Sequence, residues 1–195
     1  WTIGGGLAWL SASWQVLGWS AMTLGILFIL SFFVIGTLID LPFSWYRTFV
    51  LEEKFGFNKN SPALFLTDLI KQTVLMLIIG APLLWGALSL MDSAGEYWWL
   101  YLWAAWFAFT LLVMWAYPAF IAPLFNKFTP LEDIKLKERV ESLLSRCGFK
   151  SQGIFVMDGS RRSGHGNAYF TGLGGNKRIV FFDTLLETLN EEQIE

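Results

Sequence analysis

The sequence predicts a mainly α-helical, multi-pass membrane protein, in which transmembrane helices are followed by a cytosolic α+β portion with a small antiparallel sheet. The chain is 54% hydrophobic and 15% charged, whereas soluble domains have about 25% charged residues. Three apolar runs are long enough to cross a bilayer. The last part of the chain is polar and rich in glycine, and it contains short β-branched and aromatic runs that are typical of strands.

The predicted transmembrane region comprises residues 1–122. Its spans are expected near residues 21–41, 69–91 and 98–120. Residues 1–20 are apolar, but glycines and polar residues interrupt them, so they fit either the tail of a membrane helix or an interfacial segment. The three later runs therefore carry the prediction of a multi-pass protein.

Four of the six prolines are expected to shape these spans. Proline lacks the backbone N–H and its ring clashes with the preceding turn of a helix. Pro42 should therefore break the first helix, and Pro82 should kink the second. Pro118 and Pro123 should end the third.

The distribution of positive charge predicts the orientation. All 14 lysines and arginines lie either in residues 43–71 or after Asn126. The positive-inside rule then places the predicted loop Phe43–Thr67 and the C-terminal portion in the cytoplasm, and the short acidic link at residues 92–97 outside. The phenylalanines of the loop are interpreted as interfacial anchors.

Residues 123–195 are predicted to form the cytosolic α+β portion. Thr129-Pro130-Leu131-Glu132 has the pattern of a helix start, with Thr129 as the N-cap, and Gly148 suits the position just after the helix. Cys147 lies on the apolar side of this helix, so we expect it to be buried as a small hydrophobic residue rather than to be a reactive thiol.

Three strands are expected at residues 153–158, 167–171 and 178–182. Gly172 and the run Gly174-Gly175-Asn176 provide the turn between the last two, because these residue types tolerate positive φ. A short helix should begin at Asp183. Asn190 and Gln193 form a capping-box pattern for a further helix. Because that helix would stop after about one turn and the chain opens on Trp1 rather than Met, we expect a fragment of a longer protein.

Composition excludes several function classes. The formal net charge of −2 gives no case for nucleic-acid binding, one cysteine excludes an internal disulfide framework, and one histidine, His165, excludes a zinc site built on two histidines of this chain. The glycines do not form a phosphate-binding loop. Ser160 and Ser163 lie near His165 in sequence, but nothing indicates a triad geometry. The spans contain almost no ionisable residues of the kind that ion pathways need, which disfavours a transporter.

Asn167-Ala168-Tyr169 is the most informative candidate site. The free N–H and C=O groups of an edge strand can pair with an extended peptide. An asparagine side chain offers both a donor and an acceptor to hold the peptide's main chain, and a small alanine leaves room for it. An ordinary short strand explains the same residues, and their chemistry alone favours that interpretation.

The basic residues that flank these strands leave two interpretations open. They could hold a carboxylate or anionic lipid headgroups, or they could be the ordinary positive charge of the cytosolic side. The residues in question are Arg161, Arg162, Lys177 and Arg178.

Three ordered blocks cover most of the chain from Leu41 onward. The first comprises Leu41-Pro42, Tyr46, Thr48-Phe49-Val50 and Glu52–Asn58 (EEKFGFN). The second comprises Tyr117-Pro118 and Ile121–Leu131 (IAPLFNKFTPL). The third comprises Asp158–Ser163 (DGSRRS), His165, Asn167–Gly172 (NAYFTG) and Lys177–Val180 (KRIV). Together they resemble the integral-membrane zinc metallopeptidases of the type I CAAX prenyl protease family.

The resemblance implies a zinc metalloendopeptidase that cleaves C-terminal peptides of prenylated, CAAX-type proteins or of other membrane-associated proteins. In this family a His-Glu-x-x-His helix and a later glutamate bind the zinc, and that helix is expected just after Glu195. Residues 123–195 would then be the N-terminal part of the metallopeptidase domain. The chain itself is expected to contain no catalytic residue and no metal ligand, and to be inactive alone.

The resemblance assigns substrate-binding residues to this chain. Asn167, Ala168 and Tyr169 match the edge strand that aligns the peptide, and His165 and Arg178 would flank the cleft. The implied partners are a peptide or protein substrate, prenylated or not, and the lipid bilayer, with no nucleic acid. The alternative is a non-catalytic, membrane-anchored peptide-binding protein that keeps only the edge strand.

Overall fold

The computed structural model describes residues 3–149, 151–173, 177–190 and 193. The chain divides into two compact units. Unit 1 comprises Trp1–Tyr46 and Leu66–Trp106, and unit 2 comprises Arg47–Phe65 and Phe107–Glu195. The helices of the first part are α1 (Gly6–Gln15), α2 (Ala21–Tyr46), α3 (Pro62–Ser93) and α4 (Trp98–Ala116).

Three helical stretches are long and apolar enough to cross a membrane. They are Ala21–Glu52, Pro62–Ser93 and Gly95–Leu124, with mean hydropathies of 2.5, 2.2 and 1.8. Their apolar side chains are largely exposed, because a span turns its hydrophobic surface toward lipid rather than toward a protein core. Each predicted span lies inside one of these stretches, and the predicted mainly α, multi-pass fold class is confirmed.

The first span does not end at its proline. Pro42 lies inside α2, which continues to Tyr46 and then as a π-helix over Arg47–Glu52. The predicted break at Pro42 and the predicted loop Phe43–Thr67 were therefore wrong, since only residues 55–61 are non-helical. A membrane helix tolerates the loss of the one hydrogen bond that proline removes. If the chain stopped being helical at this point, many more backbone groups would be unpaired in lipid.

The other prolines act in two ways. α3 runs through Pro82, and the predicted kink there stays a prediction. α4 ends at Ala116, as expected, but the chain remains helical. A π-helix follows over Tyr117–Ile121 and a 3-10 helix over Ala122–Leu124. Pro118 and Pro123 thus change the type of helix instead of ending it, which is a second correction.

Unit 1 packs through small residues. A Cβ added at Gly25 in α2 would meet Leu88 Cδ1 of α3 at 3.2 Å, and one added at Gly80 in α3 would meet Leu30 Cδ2 of α2 at 3.5 Å. The two helices therefore approach closely where they lack side chains, as membrane helices commonly do.

Unit 2 contains a four-stranded sheet with the order β1-β2-β4-β3. The strands are β1 (Phe128–Pro130), β2 (Ile154–Met157), β3 (Ala168–Thr171) and β4 (Arg178–Phe182). The β1–β2 and β3–β4 pairs are antiparallel, but β2 and β4 are parallel. The sheet is therefore mixed, and the prediction of a wholly antiparallel sheet was wrong. β3 folds back on the outer side of β4, which leaves the inner side of β4 to pair with β2 in the same direction.

The segment that contains Thr129 and Pro130 forms β1 and not the first turn of a helix. Helix α5 (Ile134–Arg146) begins later, and its N-cap is Asp133, whose Oδ1 accepts the N–H of Leu136 at 3.1 Å. The predicted cap at Thr129 was wrong because pairing with Val156 of β2 takes precedence over a local capping pattern. α5 packs its apolar face on the sheet, and the core consists of Leu131, Leu136, Val140, Ile154 and Phe181.

The end of α5 follows the predicted pattern. Gly148 has φ +66°, and it follows the helix as expected. The Phe149 N–H donates to the Leu144 carbonyl at 2.8 Å and the Gly148 N–H to the Ser145 carbonyl at 3.1 Å, which is a Schellman motif. Cys147 is exposed, so its predicted burial was wrong. It caps the last turn, beyond the part of the helix that covers the core.

The chain after β4 is also as predicted. The short helix α6 spans Asp183–Thr188. The Asn190 N–H donates to Gln193 Oε1 at 3.0 Å, and the Gln193 N–H donates to Asn190 Oδ1 at 2.9 Å, so the capping box is formed.

The predicted turn between β3 and β4 is described only in part. Its residues Gly174, Gly175 and Asn176 lie outside the described residues, whereas Gly172 has the positive φ, +94°, that the turn requires.

Candidate functional site

β3 forms one edge of the sheet and pairs with β4 on one side, and no strand of the described part of the chain pairs with its other side. The Phe182 N–H donates to the Asn167 carbonyl at 2.9 Å. Antiparallel pairing alternates along a strand, so residues 167, 169 and 171 exchange bonds with β4. The N–H and C=O groups of Ala168 and Phe170 therefore point toward the open side.

One of the two outward donors has a local partner. The Ala168 N–H donates to Oδ1 of the preceding Asn167 at 2.8 Å, and both residues are exposed. Local bonds of this kind compete with main-chain pairing and can be replaced by it. The Asn167 side chain is thus placed at the start of the open edge, where a peptide carbonyl could take over its acceptor role.

The side chains of β3 alternate between the two faces of the sheet. Ala168 lies opposite Phe181 and Phe170 opposite Ile179, so both point to the face that α5 partly covers. Phe170 remains 75% exposed, and its ring makes an edge contact with Phe149 at 6.0 Å. The open edge is therefore accompanied by an exposed aromatic side chain.

Tyr169 points to the other face and is half-buried. Its hydroxyl donates to Met157 Sδ at 3.8 Å, and its ring makes an edge-to-face contact with Phe182 at 6.2 Å. Burial, and to a smaller extent the neighbouring Tyr117, raise the pKa of Tyr169 above its usual value of 10.0. Tyr169 therefore anchors the strand as a neutral phenol, while its backbone pairs with β4.

His165 connects β3 to the loop at residues 55–61. The His165 ring stacks on Phe57 with 4.0 Å between centroids and an interplanar angle of 22°. The Gly164 N–H donates to the Phe57 carbonyl at 2.7 Å, and Asn58 and Ser163 form an antiparallel bridge. This loop is therefore part of unit 2. Its residue Phe57 is 40% exposed and also packs on His165.

Sequence reasoning interpreted Phe57 only as a membrane anchor. The signal that could have indicated its role is the Gly56-Phe57-Asn58 turn, in which Gly56 has φ +73°. The ring's actual partner, His165, is more than a hundred residues away in sequence, so no local pattern identifies it.

The basic residues have protein partners. Arg162 donates from Nη1 to Asn126 Oδ1 at 2.7 Å and from Nη2 to the Phe125 carbonyl at 2.6 Å. Arg161 forms a partly exposed ion pair with Asp158 at 3.4 Å. Lys177 Nζ lies 4.9 Å from the centre of the Phe149 ring. Each of these three side chains thus has a partner within unit 2, and their binding of an anion stays a prediction.

Arg178 lies at the opposite end of β3, where it pairs with Thr171. Its Nη1 donates to the Pro118 carbonyl at 3.1 Å, and its Cζ lies 5.3 Å from the centre of the Phe155 ring. It borders a narrow cavity of about 10 Å³ together with Thr171 and Tyr169. Arg178 Nε is buried and has no hydrogen-bond partner among the described residues.

Two aspartates hold the loop between β2 and β3, a role that the sequence analysis did not predict for them. Asp183 Oδ1 accepts the N–H groups of Ser160 at 2.9 Å and Thr184 at 2.8 Å, and its Oδ2 accepts the Ser160 hydroxyl. Asp158 Oδ1 accepts the Lys127 N–H at 2.7 Å. Each aspartate directly follows one of the two parallel strands, and that position was the signal available in the sequence.

The structure thus brings four of the five predicted site residues to one end of the open edge. Asn167, Ala168 and Tyr169 are consecutive there, and His165 lies two residues earlier, whereas the Arg178 guanidinium is directed at Pro118. Among the residues described, no three His, Cys, Asp or Glu side chains form a group that could hold a metal ion. This part of the chain therefore does not fit a zinc site.

Membrane-spanning helices combined with a small mixed sheet that has one open edge define an integral membrane protein with a strand accessible to an extended partner. Comparison with known proteins specifies the family. The family model described as CAAX prenyl protease N-terminal, five membrane helices, matches residues 1–127, and that of peptidase family M48 matches residues 130–195. The chain belongs to the CAAX prenyl protease family of M48 peptidases, so the family predicted from the three sequence blocks is confirmed.

Individual relatives agree with this assignment. The chain is 50% identical over 161 residues to CAAX prenyl protease 1 of Saccharomyces cerevisiae, covering 82% of this chain and 36% of that protein. It is 42% identical over 166 residues to the Homo sapiens homologue, covering 85% and 35%. The crystal structure of S. mikatae Ste24p superposes with a TM-score of 0.81 at 48% identity, covering 87% of this chain and 40% of that one. The chain thus spans little more than a third of its relatives' length. Peptidases of family M48 are zinc-dependent.

Proposed function

We propose that this chain is the membrane and substrate-aligning part of a zinc metalloendopeptidase that cleaves C-terminal peptides of prenylated, CAAX-type proteins or of other membrane-associated proteins. The observation that carries the proposal is the open side of β3, where Ala168 and Phe170 present backbone donors and acceptors in a protein with membrane-spanning helices. The names of the relatives, CAAX prenyl protease 1, support the substrate class.

The peptide would add to the sheet as a further strand beside β3. Its main chain would pair with the N–H and C=O groups of Ala168 and Phe170, and alternate side chains would point to the two faces. Asn167 would release the Ala168 N–H to a peptide carbonyl and use its own amide group to hold the next main-chain atoms. The small side chain of Ala168 leaves that approach unobstructed.

His165 and Tyr169 would hold β3 in place without contacting the peptide. His165 would hold the start of β3 against Phe57, and Tyr169 would fix its buried face against Met157 and Phe182. The zinc ion is proposed to be bound by residues beyond Glu195, since the residues described here do not form a ligand group. The contribution of this part of the chain is to extend the peptide and to fix its register.

We further propose the orientation that the charges indicate. Lysines and arginines lie in residues 43–71 and after Asn126, and the link near Glu96 carries none. The residue 43–67 segment and the sheet would then lie on the cytoplasmic side. A prenylated C-terminus would reach the open edge from that side.

Zinc-dependent peptide cleavage by the full-length protein tests the proposal. The purified protein would be reconstituted in lipid vesicles with a farnesylated peptide that ends in a C-a-a-X sequence. Cleavage should stop when a chelator removes the metal and should return on addition of Zn²⁺, with about one zinc per chain.

Two other results would decide against it. Cleavage that persists after complete removal of metal would contradict the zinc peptidase. Binding of the peptide without cleavage, at full zinc content and at vanishing zinc content alike, would instead establish the non-catalytic, membrane-anchored peptide-binding protein.

A further inference from the structure

The π-helix at the end of the third span leaves the Pro118 carbonyl without a backbone donor. In a continuing helix this carbonyl would accept from the residue four or five positions later. The Ala122 N–H, four positions on, donates to the Tyr117 carbonyl instead. Pro123, five positions on, has no N–H. Within the described chain, neither helical register therefore provides Pro118 with a partner.

Arg178 provides the missing donor from the first residue of β4. Its Nη1 lies 3.1 Å from the Pro118 carbonyl oxygen, while the guanidinium faces the Phe155 ring at 5.3 Å. Pro118 is buried, so its carbonyl cannot be satisfied by bulk water without opening the structure. A buried carbonyl that loses its donor is costly, which makes this single contact important for how unit 2 holds together.

The contact lies next to the open edge. Arg178 is the register partner of Thr171, the last residue of β3, so it belongs to the hairpin that carries Ala168 and Phe170. The other end of β3 is held by His165 on Phe57. One end of β3 is therefore held by a ring stack to the loop at residues 55–61, and the other end is held by a charged hydrogen bond to the end of the third span.

We propose that Arg178 is a positioning residue, which holds the β3–β4 hairpin on the helix end Tyr117–Leu124 by donating to the Pro118 carbonyl. It does not contact the substrate. This inference rests on the proposed peptidase function, and it replaces a direct role of Arg178 in substrate binding. Because Pro123 lies five residues after Pro118 and has no N–H, the Pro118 carbonyl is left to accept from a side chain. Arg178 is the donor.

The proposal makes a specific prediction about Pro123. If Arg178 serves to satisfy the Pro118 carbonyl, replacing Pro123 with a residue that has an N–H should supply the same donor from the backbone. Arg178 would then become dispensable. A direct contact between Arg178 and the substrate predicts no such compensation, because Pro123→Ala adds nothing that could bind a peptide.

The experiment compares Arg178→Met, Pro123→Ala and the double variant in the full-length, zinc-loaded protein, with the farnesylated peptide as substrate. Arg178→Met should lower kcat/KM by about tenfold, mainly through kcat per folded protein, because the peptide is held in the wrong place rather than more weakly. Pro123→Ala alone should be close to the wild type. The double variant should recover most of the lost activity.

Three results would overturn the proposal: no effect of Arg178→Met, an effect confined to KM, or no recovery in the double variant. If Arg178→Met alone does not fold, the double variant with Pro123→Ala should restore folding, and failure to do so would also overturn the proposal. Melting temperatures of the same variants separate this inference from the proposed function. If the wild type does not cleave the peptide, the peptidase fails, yet recovery of thermal stability by Pro123→Ala would still support the Arg178–Pro118 contact.

Discussion

In the described part of the chain, the two outer strands of the sheet, β1 and β3, each have one side that no strand pairs with, and these two sides offer different backbone groups. In β1, the Leu131 N–H donates to the Ile154 carbonyl at 3.0 Å and the Lys127 carbonyl accepts from Asp158 at 3.2 Å. By alternation, residues 128 and 130 face outward. Residue 130 is a proline, so this edge has a single outward N–H and is only three residues long.

β3 is four residues long and contains no proline. Both of its outward residues have an N–H, and the one on Ala168 donates to the Asn167 side chain. Natural sheets commonly protect their edges with proline or short strands. The edge of β1 therefore lacks a donor permanently, because proline has no N–H, whereas the outward N–H of Ala168 in β3 is bound by a side chain that competes with main-chain pairing.

The largest effect is expected when the protection of β1 is transferred to β3. Ala168→Pro removes the outward N–H without removing a bond to β4, since the bonds to β4 come from residues 167, 169 and 171. Peptide cleavage by the full-length protein should fall by up to about a hundredfold, while zinc content and folding are retained. The measurement is kcat/KM together with zinc content and the melting temperature.

The matched control is Pro130→Ala, which gives β1 the N–H that it lacks. It should leave peptide cleavage unchanged, because this edge is not proposed to hold the peptide. Wild-type cleavage by Ala168→Pro would contradict strand addition at β3. Loss of cleavage in Pro130→Ala would show that the two edges are not distinct in the way proposed.

A smaller effect is expected from the contact that holds the start of β3. Phe57→Ala removes the ring stacked on His165, and such aromatic pairs contribute about 0.5–1.5 kcal/mol beyond their burial. The segment from Arg162 to Asn167 should become less well positioned, and kcat/KM should fall by about two- to tenfold. The start of β1 should be unaffected, because Asp158 holds it through the Lys127 N–H.

Phe55→Ala is the matched control for Phe57. Phe55 lies on the same loop and is 64% exposed, so removal of its ring tests a general loss of aromatic surface. Equal losses in the two variants would mean that the loop acts as a membrane anchor and not through His165. A selective loss in Phe57→Ala would tie the loop to β3.

The strands themselves could be predicted because each is a short β-branched and aromatic run between turn residues, as in Ile154–Met157 and Arg178–Phe182. Their arrangement could not. The parallel pairing of β2 with β4 depends on β3 taking the outer position, and nothing local specifies that choice. β1 was missed for a related reason, because Thr129-Pro130 satisfies a helix-start pattern equally well and only the proximity of β2 decides between them.

In the candidate site, too, the residues could be predicted but their contacts could not. Family resemblance identified Asn167-Ala168-Tyr169, and the structure places these residues at a sheet edge, although their binding of substrate stays a prediction. The resemblance also placed Arg178 beside the cleft, but its partner in the structure is the Pro118 carbonyl. The Pro118 carbonyl is free to accept because the chain forms a π-helix there, and the apolar pattern of the sequence does not predict a π-helix. Contacts between distant segments are what sequence reasoning lacked.

The smallest effect concerns the buried face of β3 and separates it from β1, which contains no ionisable side chain. The pKa of Tyr169 is raised above 10.0 by burial and by Tyr117, so the folded protein holds this proton more tightly than the unfolded chain does. The stability that this provides is fully present below the unfolded pKa, near 10, and is lost as the pH rises through the higher folded pKa. Tyr169→Phe has no ionisable hydroxyl at this position, so its stability does not change with pH through this group.

Melting temperatures of the wild type and Tyr169→Phe, measured from pH 8 to above pH 10, test this last difference. At pH 8 the two should differ little, because the hydroxyl makes only a weak bond to Met157 Sδ. Above pH 10 the wild type should lose stability more steeply than the variant. Parallel curves across this range would mean that the pKa of Tyr169 is not raised by folding.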